Sequence, residues 1–136
     1  RGGNQLHGIR MDLKNTPDAL PILCVAGCMA EGTTILDNVA GARLKETDRV
    51  SVMVDALSRM GASISATENV ITIHGGKKLH GCLQDSHGDH RIAMALTVAA
   101  LSAEGYTDIQ SAECASVTFP GFYQKMQSCG AKITLC

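Results

Sequence analysis

The sequence predicts an α/β fold turned inside out, with helices enclosed and strands outermost. Three observations lead there. Leu20–Ala30 (LPILCVAGCMA) and Ile92–Leu101 (IAMALTVAAL) are apolar around the whole helical circumference, so each must be covered on most sides. The candidate strands instead alternate apolar and polar residues, which suits a sheet with one wet face. Finally, the order helix, Gly, strand, helix, Gly-Ala, strand is written twice, the mark of tandem structural units.

The elements follow in that order. After Pro17-Asp18-Ala19 the first apolar helix runs to Ala30, and Ala30-Glu31-Gly32-Thr33-Thr34-Ile35 turns the chain into a strand. In the next helix Val50, Val54, Leu57 and Met60 form one apolar stripe, while Asp55, Ser58 and Arg59 lie elsewhere. Met60-Gly61-Ala62-Ser63-Ile64 then leads to strands at Ile64 and Val70–Ile73. The second round repeats the phrases: Ile92–Leu101, then Ala103-Glu104-Gly105-Tyr106-Thr107-Asp108-Ile109, another helical segment, and Cys129-Gly130-Ala131-Lys132-Ile133. It predicts a closing strand at Ile133–Leu135, and the two repeats fall at roughly 12–74 and 79–136. Glycine after each helix fits a left-handed C-terminal cap.

Composition narrows the functional classes. The 136 residues are 45% hydrophobic and 18% charged, as in a globular domain, and the net charge of -1 predicts no general attraction to nucleic acid or membranes. An aromatic content of 3% without Trp argues against base-stacking surfaces. The six cysteines form no C-x-x-C pair and no histidines sit at zinc-finger spacing, so reduced cytoplasmic thiols and no metal are expected. The chain starts at Arg1 without an initiator Met, as expected of a processed protein or a piece of a longer one.

Two charged clusters carry the chemistry: Arg43-Leu44-Lys45-Glu46-Thr47-Asp48-Arg49 and Asp89-His90-Arg91. Each sets cations beside carboxylates where an apolar helix begins. A helix start offers unpaired N–H groups and a positive dipole end, both suited to phosphate or carboxylate. Two such starts in one small chain suggest a shared site for an anion with more than one negative group. The same residues also fit plainer roles: Asp18 a helix-start acid, Lys45 a solvated lysine, Arg49 a salt bridge to Asp48 or Glu46, and His90 a structural hydrogen bond.

Five phrases decide between these roles. Pro17-Asp18-Ala19, Ala30-Glu31-Gly32-Thr33-Thr34, Arg43 to Arg49, Gly88-Asp89-His90-Arg91-Ile92-Ala93-Met94-Ala95 and Thr118-Phe119-Pro120-Gly121-Phe122 stand in the order and near the spacing found in the enolpyruvyl transferases. Across nearly its whole length the chain resembles that family, specifically the branch acting on shikimate 3-phosphate. The resemblance implies part of the C-terminal lobe of a two-lobed inside-out α/β barrel, about two repeated units of it, with the first lobe absent. It implies transfer of the enolpyruvyl group from phosphoenolpyruvate to the 5-hydroxyl of shikimate 3-phosphate with release of phosphate. This is a cytoplasmic shikimate-pathway step of aromatic amino acid biosynthesis, and the target of glyphosate.

The resemblance also assigns parts. Asp18 corresponds to the catalytic general base near the acceptor hydroxyl, which also holds the shikimate 3-phosphate ring, and Glu46 to the catalytic proton donor, while Lys45 contacts shikimate 3-phosphate. The addition–elimination chemistry so implied needs no metal or organic cofactor. Arg49 and Arg91 grip phosphoenolpyruvate; guanidinium suits this because its planar fork binds carboxylate or phosphate at two points. His90, between Asp89 and Arg91, is read from the residues alone: it suits a donor to the phosphate of phosphoenolpyruvate or a group that orients a carboxylate, and a structural hydrogen bond fits it equally. Two positions depart from common members: Val117 stands where many carry a lysine, and Gly41 where some carry asparagine. The isolated piece is expected to be inactive. The rival enzyme, a UDP-N-acetylglucosamine enolpyruvyl transferase, lacks the Lys-Glu-Thr-Asp-Arg and Asp-His-Arg pattern; a non-catalytic module of the same fold is the rival of another class.

Overall fold

A computed structural model describes residues 4–136. β1 (Arg10–Asp12) runs parallel to β2 (Thr33–Asp37), and the crossover between them holds a 3-10 turn at Pro17–Ala19 and helix α1 (Leu20–Met29). A second 3-10 segment, Val39–Leu44, leads to α2 (Arg49–Arg59) and the antiparallel pair β3 (Ser63–Ala66) and β4 (Val70–His74), giving the sheet order β1-β2-β4-β3. The second pass supplies β5 (Leu83–Asp85), α3 (His90–Leu101), β6 (Asp108–Gln110), a 3-10 segment at Ala112–Val117 and α4 (Phe122–Ser128), with β5 parallel to β6.

Helices are inside and sheets outside. Leu20, Cys24 and Val25 of α1 meet Val50, Met53 and Leu57 of α2 and Ile92 and Leu96 of α3 in one buried cluster. Leu36 of β2 with Ile71 and Ile73 of β4 close it from the sheet side, and alternate residues of those strands point outward. Hydrophobic burial of these side chains, about 1.5–3 kcal/mol each, is what holds the layers together. Enclosure is incomplete, however. Ile22 on α1 and Leu101 on α3 remain exposed, because no element among the described residues covers that side.

Matching features of the two passes recur at one constant spacing. The parallel bridges His7–Glu31 and His80–Glu104 lie 73 places apart at both ends (7 to 80, 31 to 104). Asn38 and Ser111, which precede the long 3-10 segments, have the same spacing and the same left-handed backbone, φ 58 and 56. Two expectations are corrected. Ile133–Leu135 is not a strand: in the first pass β3 is paired by β4, whereas among the described residues no strand pairs with 133–135. Gly61 and Gly130, at φ 94 and 97, do follow their helices directly, but Gly32 and Gly105 sit later, in the turns into β2 and β6.

Candidate active site

The two helix starts do come together, although not as free anion sites. Asp48 caps α2 by accepting from the Ser51 N–H at 3.0 Å, and Asp89 caps α3 by accepting from the N–H groups of Arg91 (2.9 Å) and Ile92 (3.4 Å). Each chain of N–H groups thus has its own carboxylate, a stabilising arrangement worth about 1 kcal/mol per cap. Ligand-binding capacity therefore lies in the side chains around these starts.

Arg49 stands at the centre. Its Nε donates to Asp89 Oδ2 at 2.8 Å and its Nη2 to Asp89 Oδ1 at 3.1 Å, a two-point grip across forty residues. Nη2 also donates to Glu46 Oε2 at 2.6 Å, and Nη1 to Asp18 Oδ1 at 2.8 Å. The side chains of Arg49 and Asp89 are 1% and 0% exposed, so this pair is removed from water and depends on complete hydrogen bonding. Thr47 Oγ1 donates to Asp89 Oδ2 at 3.2 Å and completes the arrangement.

Asp18 is the second meeting point. Its Oδ1 faces Arg49 Nη1 and, at 3.3 Å, Lys45 Nζ, while its Oδ2 faces Arg91 Nη2 at 3.5 Å. Arg49 and Arg91 thus reach the two oxygens of one carboxylate. His90 Nδ1 lies 3.9 Å from Glu46 Oε1. All six residues singled out from the sequence, Asp18, Lys45, Glu46, Arg49, His90 and Arg91, are in one contiguous cluster. Arg49 pairs with Glu46, not with Asp48, whose partner is Arg43 at 2.9 Å. Lys45 is not at a helix start: it lies in the loop between the 3-10 segment and α2.

The electrostatics follow from this packing. Burial pushes the Asp18 carboxyl up, but Lys45, Arg91 and Arg49 outweigh it and hold the group below the ordinary carboxylate range. Asp89 behaves likewise: its burial is overcome by the two Arg49 hydrogen bonds and the amides of Arg91 and Ile92. Desolvation lowers the Arg49 value, yet Asp89, Glu46 and Asp18 together raise it above normal, so the guanidinium stays charged. Both carboxylates are ionised at neutral pH, and with Asp89 counted the cluster sets Lys45, Arg49 and Arg91 against Asp18, Glu46 and Asp89.

Sequence reasoning named Asp89 without giving it a part. Its signal is local, a carboxylate directly before a helix, but its partner Arg49 is remote in sequence. The site is an open face and not a cavity: the side chains of Asp18, Glu46 and Arg91 are 46%, 50% and 40% exposed. Two clefts of about 640 and 660 Å³ lie elsewhere, against β6 and the segment 132–136, and contain none of the six residues. Val117 is exposed, and Gly41 lies close to Pro17. Among the described residues no group of His, Cys, Asp and Glu is arranged to hold a metal ion, and no helix is long and apolar enough to cross a membrane.

Comparison with known proteins places the chain in a family. A family profile described as EPSP synthase (3-phosphoshikimate 1-carboxyvinyltransferase) matches residues 1–126. The 3-phosphoshikimate 1-carboxyvinyltransferase of Acetivibrio thermocellus is 47% identical over 134 residues, covering 98% of this chain and 31% of the relative. That of Ruminiclostridium cellulolyticum is 48% identical over 133 residues, with the same coverage. A solved EPSP synthase from Acinetobacter baumannii superimposes with a TM-score of 0.86 at 36% identity, over 91% of this chain and 30% of that one. The chain spans about a third of the length of the relatives it matches. With a profile that takes in all six clustered residues, the chain belongs to the EPSP synthase (3-phosphoshikimate 1-carboxyvinyltransferase) family.

Proposed function

We propose that this chain carries the carboxylates and anion grips of an enzyme that transfers the enolpyruvyl group from phosphoenolpyruvate to the 5-hydroxyl of shikimate 3-phosphate. In that reaction the hydroxyl oxygen bonds to C2 of phosphoenolpyruvate, loses its proton, and C3 gains one. The tetrahedral adduct then breaks its C2–O bond to phosphate and loses a proton from C3. Asp18, ionised at neutral pH, accepts the hydrogen bond of the attacking hydroxyl, and Glu46 exchanges the proton at C3. Arg49 and Arg91 hold the phosphoenolpyruvate anion, His90 donates beside them, and Lys45 meets shikimate 3-phosphate.

One observation carries the reading: Arg49 and Arg91 grip the two oxygens of the Asp18 carboxylate, as they would a carboxylate or phosphate of a ligand. The half-exposed face implies a missing wall. We assign it to the remainder of the protein, the first lobe included, whose closure excludes water. Residues 12–74 and 79–136 are then two units of one lobe in a cytoplasmic enzyme.

Calorimetric titration of phosphoenolpyruvate and shikimate 3-phosphate into the chain, with Arg91→Ala as control, tests the assignment. Binding that is weakened in the variant is expected. Equal affinity in the two proteins, or none for either ligand, overturns it. Phosphate release by the isolated chain, given both substrates, would contradict the need for a second wall.

A further inference from the structure

Loop 44–47 carries Lys45 and Glu46, and its attachments divide into two kinds. Lys45 to Asp18, Glu46 to Arg49 and Glu46 to His90 each engage a basic group that a bound anion would compete for. The rest leave the site untouched: Thr47 on the buried Asp89, and a clasp across the base of the loop. In the clasp, Arg43 Nη1 donates to Asp48 Oδ2 at 2.9 Å and to Ser51 Oγ at 3.2 Å. Its Nε donates to the Glu68 carbonyl at 3.0 Å and its Nη2 to the Thr67 carbonyl at 2.8 Å. Every nitrogen of the guanidinium is committed. Arg49 is also fully bonded, but two of its partners are the half-exposed carboxylates Asp18 and Glu46, which an anion could replace. Those of Arg43 are the α2 cap and two backbone carbonyls, which belong to the fold, so Arg43 is held for structure despite lying in the cationic cluster.

We propose that Arg43 is a positioning residue that closes loop 44–47 at its base and tethers it to the β3–β4 turn, so that Lys45 and Glu46 keep their places when a ligand takes Arg49. The inference rests on the anion-binding reading above. A fork of fixed geometry is required, since Arg43 must reach Asp48 and two carbonyls of a different turn at once, and a lysine could hold only one side. The benefit is preorganisation: a loop already ordered loses less freedom when the ligand binds.

Amide relaxation and phosphoenolpyruvate titration of the 136-residue chain, as wild type, Arg43→Lys and Arg43→Gln, test this. Expected are wild-type order parameters near about 0.85 through residues 44–48, falling below about 0.6 in both variants, while α2 and β4 amides keep theirs. Phosphoenolpyruvate affinity should fall about tenfold in both. A loop that stays ordered in the variants overturns the clasp, as does wild-type affinity in Arg43→Lys, since charge would then suffice. Unchanged affinity with a loosened loop overturns the positioning role. If a variant does not fold, the wild-type chain still decides: a mobile 44–47 segment there refutes the proposal. Absence of phosphoenolpyruvate binding in the wild type fails the functional reading alone, and the relaxation data still decide whether Arg43 holds the loop.

Discussion

Arg49 and Asp89 face each other edge to edge, Nε to Oδ2 and Nη2 to Oδ1, with neither side chain open to water. One residue opens α2 and the other caps α3, so this single pair fixes how the two helix starts meet. Because both charges are buried, their value to stability is conditional. The intact pair roughly offsets its own desolvation, but losing one member strands the other.

Asp89→Asn should therefore destabilise the chain by about 3 kcal/mol, the low end for breaking a buried pair, since Glu46 and Asp18 still partner Arg49. The amide oxygen can keep capping α3, so the loss is assigned to the ion pair and not to the helix start. Urea unfolding measures it, and a change under about 1 kcal/mol would show that Asp89 is not Arg49's main partner.

Asp18 is an internal competitor for the grip. It lies between Arg49 and Arg91 and also takes Lys45, so an incoming anion must displace it. Asp18→Asn should bind inorganic phosphate about five- to tenfold more tightly than the wild type, a gain near 1 kcal/mol, while the complete enzyme carrying the change loses turnover. An NMR titration of the 136-residue chain reads the first effect. Weaker phosphate binding in the variant would mean that Asp18 does not compete for these cations.

How much of this was legible follows the range of each interaction. The enclosed helices were readable because Leu20–Ala30 and Ile92–Leu101 state their burial locally, in composition. Convergence of the two charged clusters was readable from their paired helix starts, whereas the inclusion of Asp18 came through the family pattern. The caps on α2 and α3 were misjudged: Asp48 and Asp89 were visible as acids beside cations, but not as the groups that consume the helix-start N–H donors. The Arg49–Asp89 pairing was hidden because its partners are forty residues apart. The strand at Ile133–Leu135 failed for a related reason, since alternation marks a surface that can pair, and the pairing partner lies outside the segment itself.

Acid should dissolve the site before it dissolves the rest of the core. Asp18, Asp48 and Asp89 all have folded-state values held below the ordinary range, near 3.9 in an unfolded chain. As pH falls, the unfolded chain takes up protons first. The stabilisation they contribute is thus complete above about pH 5 and is lost as pH drops through 4 towards the folded-state values. Urea midpoints should be level from pH 7 to 5 and then decline, and Asp89→Asn should flatten that decline. A wild-type midpoint that rises below pH 4 would contradict the direction of all three shifts.

The doubled architecture makes its own prediction at Gly8 and Gly81. Each directly follows the histidine of a parallel bridge, where the neighbouring segment comes so close that a Cβ would collide with the carbonyl of Thr33 in one pass and of Tyr106 in the other. The obstacle is backbone in each case, so no side chain can move aside. Alanine at either place should separate the paired strands and lower stability by about 2–4 kcal/mol, within the range of severe backbone effects. The contexts differ in one respect: Gly8 precedes a four-stranded sheet, whereas Gly81 leads into the two-stranded β5–β6 pair. Gly81→Ala should accordingly also loosen β5 and the turn that presents Asp89 to Arg49. Amide exchange on both variants separates the outcomes, with local opening confined to β1–β2 in Gly8→Ala and reaching the start of α3 in Gly81→Ala. Equal protection of α3 in the two variants would show that the β5–β6 pair does not support the site.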